Sequence, residues 1–329
     1  MNWKENDFSL PVKITDYYFS LIDKSNPEDP LRLQVFPTEY ENYISSGEQI
    51  DPLSEVCNSP TDRLIHRYSN RAAFLTTDFC MQYCRYCFRR RFTGNMNGPA
   101  SREEIEISAD YIRKHEEIKE LLLTGGDVLT LSNSQIREMV ECFRKANPLL
   151  IIRICTRAPV VEPDRIDDEL ISIFKSYNTA PFFLMVQYNH YRELTFESIR
   201  AVNKFVSSGI MAFNQTVLLR NINDDVNVLE KLCNSLLLNR IKPYYVFQGD
   251  LVSGTSFFRV PLRKTLEIEK ELRKKLSGLA MPTFAIDLPN GGGKVPLSDS
   301  YITETDGRKW IFKTLNGNGR VYYDPDFIF

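Results

Sequence analysis

The sequence predicts an α/β fold: a partial (β/α)6 barrel with an N-terminal helical cap and a short C-terminal extension. Three observations predict it. From residue 72 onward, short apolar runs alternate with amphipathic stretches six times over, which implies consecutive βα units and a parallel sheet. The runs are apolar throughout rather than alternating, as expected for strands covered on both faces. Polar and unusual residues cluster just after the runs end: Cys80, Gly125-Gly126-Asp127, Arg157, His190, Asp250 and Asp287. In a barrel those ends converge on one mouth, where active sites are built. An open nucleotide-binding sheet would instead carry Gly-x-Gly-x-x-Gly after its first strand, and this chain does not.

Residues 1–71 hold Pro11, Pro27, Pro30 and Pro37 among short helix-like pieces and read as the cap. The barrel core is assigned to 72–280. Its strands are expected at 72–77, 120–124, 150–156, 182–188, 212–218 and 244–248. Helices are expected between and after them, at 103–115, 134–145, 166–177, 196–207, 226–239 and 262–277. A further apolar run, 283–287, opens the extension assigned to 281–329. There, Asn-Gly-Asn-Gly at 316–319 lies between two apolar segments, a hairpin signal.

Composition narrows the function. The chain has 329 residues, of which 43% are apolar, and a net charge of −2, so no global field draws it to nucleic acid or anionic lipid. No apolar run reaches the roughly 18 residues of a membrane span, and residues 1–10 lack a signal-peptide h-region. A cytoplasmic protein without nucleic-acid or membrane partners is expected. Seven cysteines are present, an odd number, with three inside eight residues. This suits a metal site in a reducing compartment rather than a disulfide scaffold.

Those three stand in Cys80-Met-Gln-Tyr-Cys84-Arg-Tyr-Cys87. Three thiolates on one loop can hold three irons of a [4Fe–4S] cluster and leave the fourth iron open to a small molecule. A structural zinc loop would need a fourth ligand, which His66 or His190 would have to supply. Near the C-terminus the chain reads Asp287-Leu-Pro-Asn-Gly-Gly-Gly-Lys294-Val-Pro-Leu297. Three glycines allow close backbone approach to a ligand. A lysine after them can contact a phosphate or form a Schiff base with an aldehyde cofactor, although composition alone also fits a flexible surface loop. The run Arg89-Arg90-Arg91 is a weak nucleic-acid signal in a chain of this charge.

The Cys-x3-Cys-x2-Cys spacing, with aromatic Tyr86 before the last cysteine, is that of the radical S-adenosylmethionine (SAM) superfamily. Gly125-Gly126-Asp127 resembles that superfamily's Gly-Gly-Glu-type strand end, which meets the SAM amino group. Together 80–91, 124–129, 214–219 and 287–297 resemble the lysine 2,3-aminomutase family, and the similarity runs from about residue 29 to 297. The resemblance implies a [4Fe–4S] cluster on Cys80, Cys84 and Cys87, with Gly125, Gly126, Asp127 and Gln215 toward cofactor. It implies pyridoxal phosphate (PLP) on Lys294, with its phosphate held by Arg67 and Arg71. Arg89 would bind the substrate α-carboxylate, while Asp250 and Asp287 would bind a distal ammonium. The implied reaction is a 1,2-amino shift by an isomerase, with lysine preferred.

Arginine or glutamate as substrate, supply of β-lysine for elongation factor P, and a radical SAM enzyme without PLP are the alternatives. The implied partners are an amino acid substrate, a flavodoxin- or ferredoxin-type electron donor, and further copies of the chain. Three positions depart from the family pattern: paired histidines appear as Gln187 and His190, Asn290 stands where a glycine is usual, and the C-terminus lacks zinc-site cysteines.

Overall fold

The computed structural model describes residues 10–298, 300–306 and 309–323; residues 1–9 of the stretch read for a signal peptide lie outside them. Two short helices, α1 (Asp16–Leu21) and α2 (Pro30–Leu33), open the cap. Then come β1 (Leu64–Tyr68), β2 (Arg71–Thr77), α3 (Arg102–Lys114), β3 (Glu120–Gly125), α4 (Asn133–Ala146) and β4 (Ile151–Thr156). The order continues α5 (Ala158–Val161), α6 (Asp168–Lys175), β5 (Phe182–Val186), α7 (Phe196–Ser207), β6 (Met211–Leu218) and α8 (Val226–Leu238). It ends β7 (Ile241–Gln248), α9 (Leu262–Lys275), β8 (Thr283–Leu288), β9 (Gly293–Pro296), β10 (Ile302–Asp306), β11 (Lys309–Lys313) and β12 (Gly319–Tyr323).

The first nine strands form one sheet in sequence order. Neighbours from β2 to β8 pair in parallel, while β1 and β9 join the two ends antiparallel. The edges β1 and β9 are not paired with each other. They nonetheless face one another: Lys294 N on β9 donates to Tyr68 Oη on β1 at 3.1 Å. Arg67 Nη2 on β1 reaches Asp287 Oδ1 on β8 at 2.7 Å. The sheet therefore curls into an open barrel whose seam is bridged by side chains. Both edge strands lie outside the strand assignments made from sequence. The sheet begins at Leu64, inside the stretch read as cap, and the glycine loop is the turn of the β8–β9 hairpin.

The helices are set by local chemistry. Ser101 with Glu104, and Ser132 with Gln135, form capping boxes at α3 and α4, satisfying first-turn amides reciprocally. Residues 163–165 form a separate turn, so α6 starts after its cap Asp167. On the outer face of the sheet Leu121, Leu123, Ile152 and Ile154 are fully buried against the helix layer, in one cluster with Phe143, Phe174 and Phe205.

The strands differ from expectation on their inner face. Leu122, Thr124, Arg153, Cys155, Gln215 and Phe247 alternate with the helix-facing residues and line a cavity. The apolar runs thus carry a period-two division between a packed face and a ligand-sized lumen. The Asn-Gly-Asn-Gly hairpin is present, with Gly317 at φ +88° between β11 and β12. With β10 these strands form a separate three-stranded sheet. Among the described residues no helix is long and apolar enough to cross a membrane.

Candidate active site

The lumen is a cavity of about 480 Å³, within the range of small-molecule and cofactor sites. Cys80, Cys84, Cys87, Arg67, Arg71, Arg89, Gly125, Gly126, Asp127, Gln215, Asp250, Asp287 and Lys294 all line it. The fold thus brings together the residues that the resemblance assigned to cofactors and substrate.

The cysteine loop follows β2 and is fixed from outside. Asp78 accepts from Asn97 N and Gly98 N. Glu41, on the cap, pairs with both Arg85 and Arg90. Arg85 also donates to the carbonyls of Leu10 and Pro11. The three thiols face the cavity, and burial pushes Cys80 and Cys87 above the ordinary thiol value. Among the described residues, no three His, Cys, Asp or Glu side chains converge as they would on a single metal ion. A cubane asks something different: three thiolates around a common space, each facing its own iron. Gln82 in the same loop is buried, and neither of its amide atoms has a hydrogen-bond partner among the described residues, leaving a donor for the sulfurs of such a cluster. The histidines that zinc would need are engaged elsewhere. His66 contacts Tyr111, and His190 accepts from Arg192 N.

The β3 end lies flush against this loop. Gly126 N donates to Thr77 O and Asp127 N to Phe79 O. A Cβ on Gly126 would meet Phe79 O at 2.1 Å, so no side chain fits there. The Asp127 carboxylate is already occupied, accepting from Leu129 N, Thr156 Oγ1 and Arg157 N. The Gly-Gly-Asp motif therefore presents backbone to the cavity, with the aspartate tying β3 to β4.

At the seam, Lys294 ion-pairs with Asp287, and its ammonium lies 4.1 Å from the Phe247 ring centroid. Gly291 and Gly293 take φ of +75° and +81°, the left-handed region that glycine adopts without strain. Asn290, the departure from the pattern, also sits there at +55°, a conformation asparagine tolerates better than most residues. Arg67 and Arg71 flank Tyr68, their guanidinium carbons 4.7 and 3.7 Å from its ring centroid. Arg67 is paired with Asp287. Among the described residues Arg71 has no carboxylate partner, only Asn70 Oδ1, which leaves it free for an anion.

Asp250 follows β7 beside Asp287. Burial, and then the Asp287 charge, push its carboxyl up to about 7. Its side chain has no hydrogen-bonded or ionic partner among the described residues. Arg89 is more committed than the sequence suggests. Its Nε and Nη2 hold Glu55, and its Nη1 donates to Thr124 Oγ1 at 2.9 Å. The Nε/Nη2 edge is thus taken by Glu55, and one hydrogen on each terminal nitrogen remains for a substrate carboxylate. Gln187 lines the cavity and His190 does not. Glu55 and Tyr68 were missed. Glu55 lies in the cap segment without periodicity, while Tyr68 is marked only by its place beside Arg67.

Among the described residues, seven basic side chains line the cavity against four carboxylates, an excess suited to phosphate- and carboxylate-bearing cofactors. Three thiols on a strand-end loop at the mouth of an open parallel barrel define a radical SAM enzyme, and the radical SAM superfamily profile matches residues 74–232. A second profile, described as lysine-2,3-aminomutase, matches 268–328. L-lysine 2,3-aminomutases of Acetoanaerobium sticklandii and Clostridium subterminale are each 40% identical to this chain, over 97% and 96% of it and 76% of their own length. A glutamate 2,3-aminomutase of Clostridioides difficile is 37% identical, over 92% of this chain and 71% of its own. The chain belongs to the lysine 2,3-aminomutase family, a family of radical SAM isomerases.

Proposed function

We propose that this chain moves the α-amino group of L-lysine from C2 to C3, giving β-lysine, with a [4Fe–4S] cluster, SAM and PLP as cofactors. The observation that carries the substrate is Asp250: a carboxylate raised by burial, with no ion pair among the described residues, beside a second carboxylate. A distal ammonium would supply the missing charge, whereas a distal carboxylate, as in glutamate, would be repelled by both.

When bound, the cluster with SAM supplies a hydrogen-abstracting radical, and PLP supplies an electron sink for the migrating nitrogen. The protein's part is binding and orientation. Cys80, Cys84 and Cys87 hold the cluster, and the β3 end with Gln215 borders the SAM side. Arg71 and Arg67 hold the phosphate. Lys294 Nζ would hold the cofactor covalently, and Asp287 Oδ2, already against that ammonium, would be placed to take its proton. Arg89 Nη1 orients the substrate carboxylate. A cytoplasmic setting, where thiols stay reduced, and a flavodoxin- or ferredoxin-type donor complete the reading.

The test is anaerobic incubation of the reconstituted protein with SAM, PLP, reductant and a panel of amino acids, scoring β-amino products. β-Lysine should dominate. Faster turnover of a neutral or acidic amino acid would overturn the lysine assignment.

A further inference from the structure

Arg157, the first residue after β4, is buried, and its two terminal nitrogens point in different directions. Nη1 donates to Cys84 Sγ and, at 2.9 Å, to Tyr86 Oη. Nη2 donates to Glu193 Oε1 and, at 2.8 Å, to Gln34 Oε1. Glu193 has no exposed surface and is held in turn by Tyr18 Oη, Asn189 N and His190 N. The backbone N of Arg157 is fixed by Asp127. The guanidinium therefore cannot drift: cap, cysteine loop and two strand ends all meet on it.

A buried ion pair is weak evidence for stability, because desolvation offsets most of its Coulomb gain. Its geometry here serves something else. The carboxylate lies on the far nitrogen, and the near nitrogen lies on a sulfur. Reducing a cluster adds one negative charge to it. A permanent cation donating to a ligand sulfur favours that reduced form, and hydrogen bonds to sulfur are among the factors that set cluster potentials. Glu193 opposes the effect from farther away.

We propose that Arg157 is a positioning residue that raises the reduction potential of the cluster on Cys84, with Glu193 fixing its orientation and partly offsetting its charge. This rests on Cys84 being a cluster ligand. Arg157 carries no electron itself; the single electron passes from the donor to the cluster.

The test is an EPR-monitored redox titration of the reconstituted protein, with iron and sulfide measured on the same samples. Arg157→Gln keeps a donor and removes the charge. The reduced-to-oxidised ratio at a fixed poise should fall about tenfold, about 59 mV for one electron. Glu193→Gln removes the opposing charge and should move the ratio the other way. Opposite shifts at unchanged iron content support the proposal. An intact cluster with no shift, or shifts in one direction, overturns it, as does iron loss in both variants, which would make the contact structural only. If the unmodified protein, or Cys84→Ala compared with it, shows no cluster dependence on Cys84, the ligand assignment fails instead, and that outcome reads separately in the iron content.

Discussion

Asp287 and Lys294 are direct cross-strand partners in the β8–β9 hairpin, and their side chains form an ion pair. The register of one hairpin thus sets the lysine beside its base. The other Asp287 oxygen holds Arg67, so one carboxylate organises two cations of the proposed PLP site. Lys294→Ala should lose the absorption band of covalently held PLP while keeping iron content and SAM binding. Asp287→Asn leaves two neighbouring cations without a counter-charge and should lower the Tm of the cofactor-free protein. Added PLP, whose phosphate brings negative charge, should recover more of that Tm than it adds to the unmodified protein. Calorimetric scans with and without PLP check both statements.

Arg67 and Arg71 should separate in the same assay. Each removes a charge-assisted contact to phosphate, on the order of 1.5–3 kcal/mol. That is roughly ten- to a hundredfold in PLP dissociation constant. Arg71 pairs with no carboxylate among the described residues, so Arg71→Ala should weaken PLP with little change in Tm. Arg67→Ala should weaken PLP and also lower Tm, because it removes a partner of Asp287. Equal Tm values for the two variants would remove the distinction.

The contrast between these residues also shows what the sequence could reveal. The seven apolar runs are strands β2 to β8 because each is long enough, and apolar enough, to be read alone; α7 falls on 196–207 as its periodicity requires. The seam was not legible. Leu64–Tyr68 contains His66 and Arg67, and Gly293–Pro296 begins in glycine and ends in proline, a composition that depletes strands. Both form only because a curled sheet offers them an edge. The same limit applies to Arg89: its place in the motif was readable, but its occupation by Glu55 depends on a cap segment whose path follows from packing.

The cluster assignment makes a sharp division among cysteines. Cys80→Ala, Cys84→Ala or Cys87→Ala should each remove most bound iron and all SAM cleavage. Cys142→Ala and Cys233→Ala should change neither, since Cys142 lies on α4 and Cys233 on α8. Cys155 is the informative control. It lines the same cavity but stands on β4 rather than in the loop, so Cys155→Ala should keep its iron. Iron per chain and the EPR signal of the reduced protein decide this. Loss of the cluster in Cys155→Ala would mean that the loop alone does not define the ligand set.

Asp250 ties substrate choice to pH. Burial, and then the neighbouring Asp287, raise its carboxyl from the ordinary aspartate value to about 7. Between roughly pH 4 and 7 the ligand-free folded chain keeps a proton that the unfolded chain has lost, so this group makes folding less favourable as pH rises through that window. A lysine ammonium favours the ionised carboxylate, so binding must expel the proton wherever it is still present. Lysine binding should release a proton from this site well below pH 7 and close to none at about pH 8.5. Calorimetry in buffers of different ionisation enthalpy counts those protons. Lysine affinity should rise with pH up to about 7 and then level. Asp250→Asn should abolish the proton release. It should also raise the Tm of the ligand-free protein at pH 8 more than at pH 5. Removing a carboxylate from a buried pair typically costs about 3–5 kcal/mol, so kcat/KM for lysine should fall about a hundred- to several-thousandfold. PLP loading and iron content should hold, since Asp250 has no contact with Lys294, Arg67 or the cysteines among its hydrogen bonds. If Asp250→Asn turned over lysine at the unmodified rate, with the same proton release, a distal ammonium could not be what this carboxylate binds.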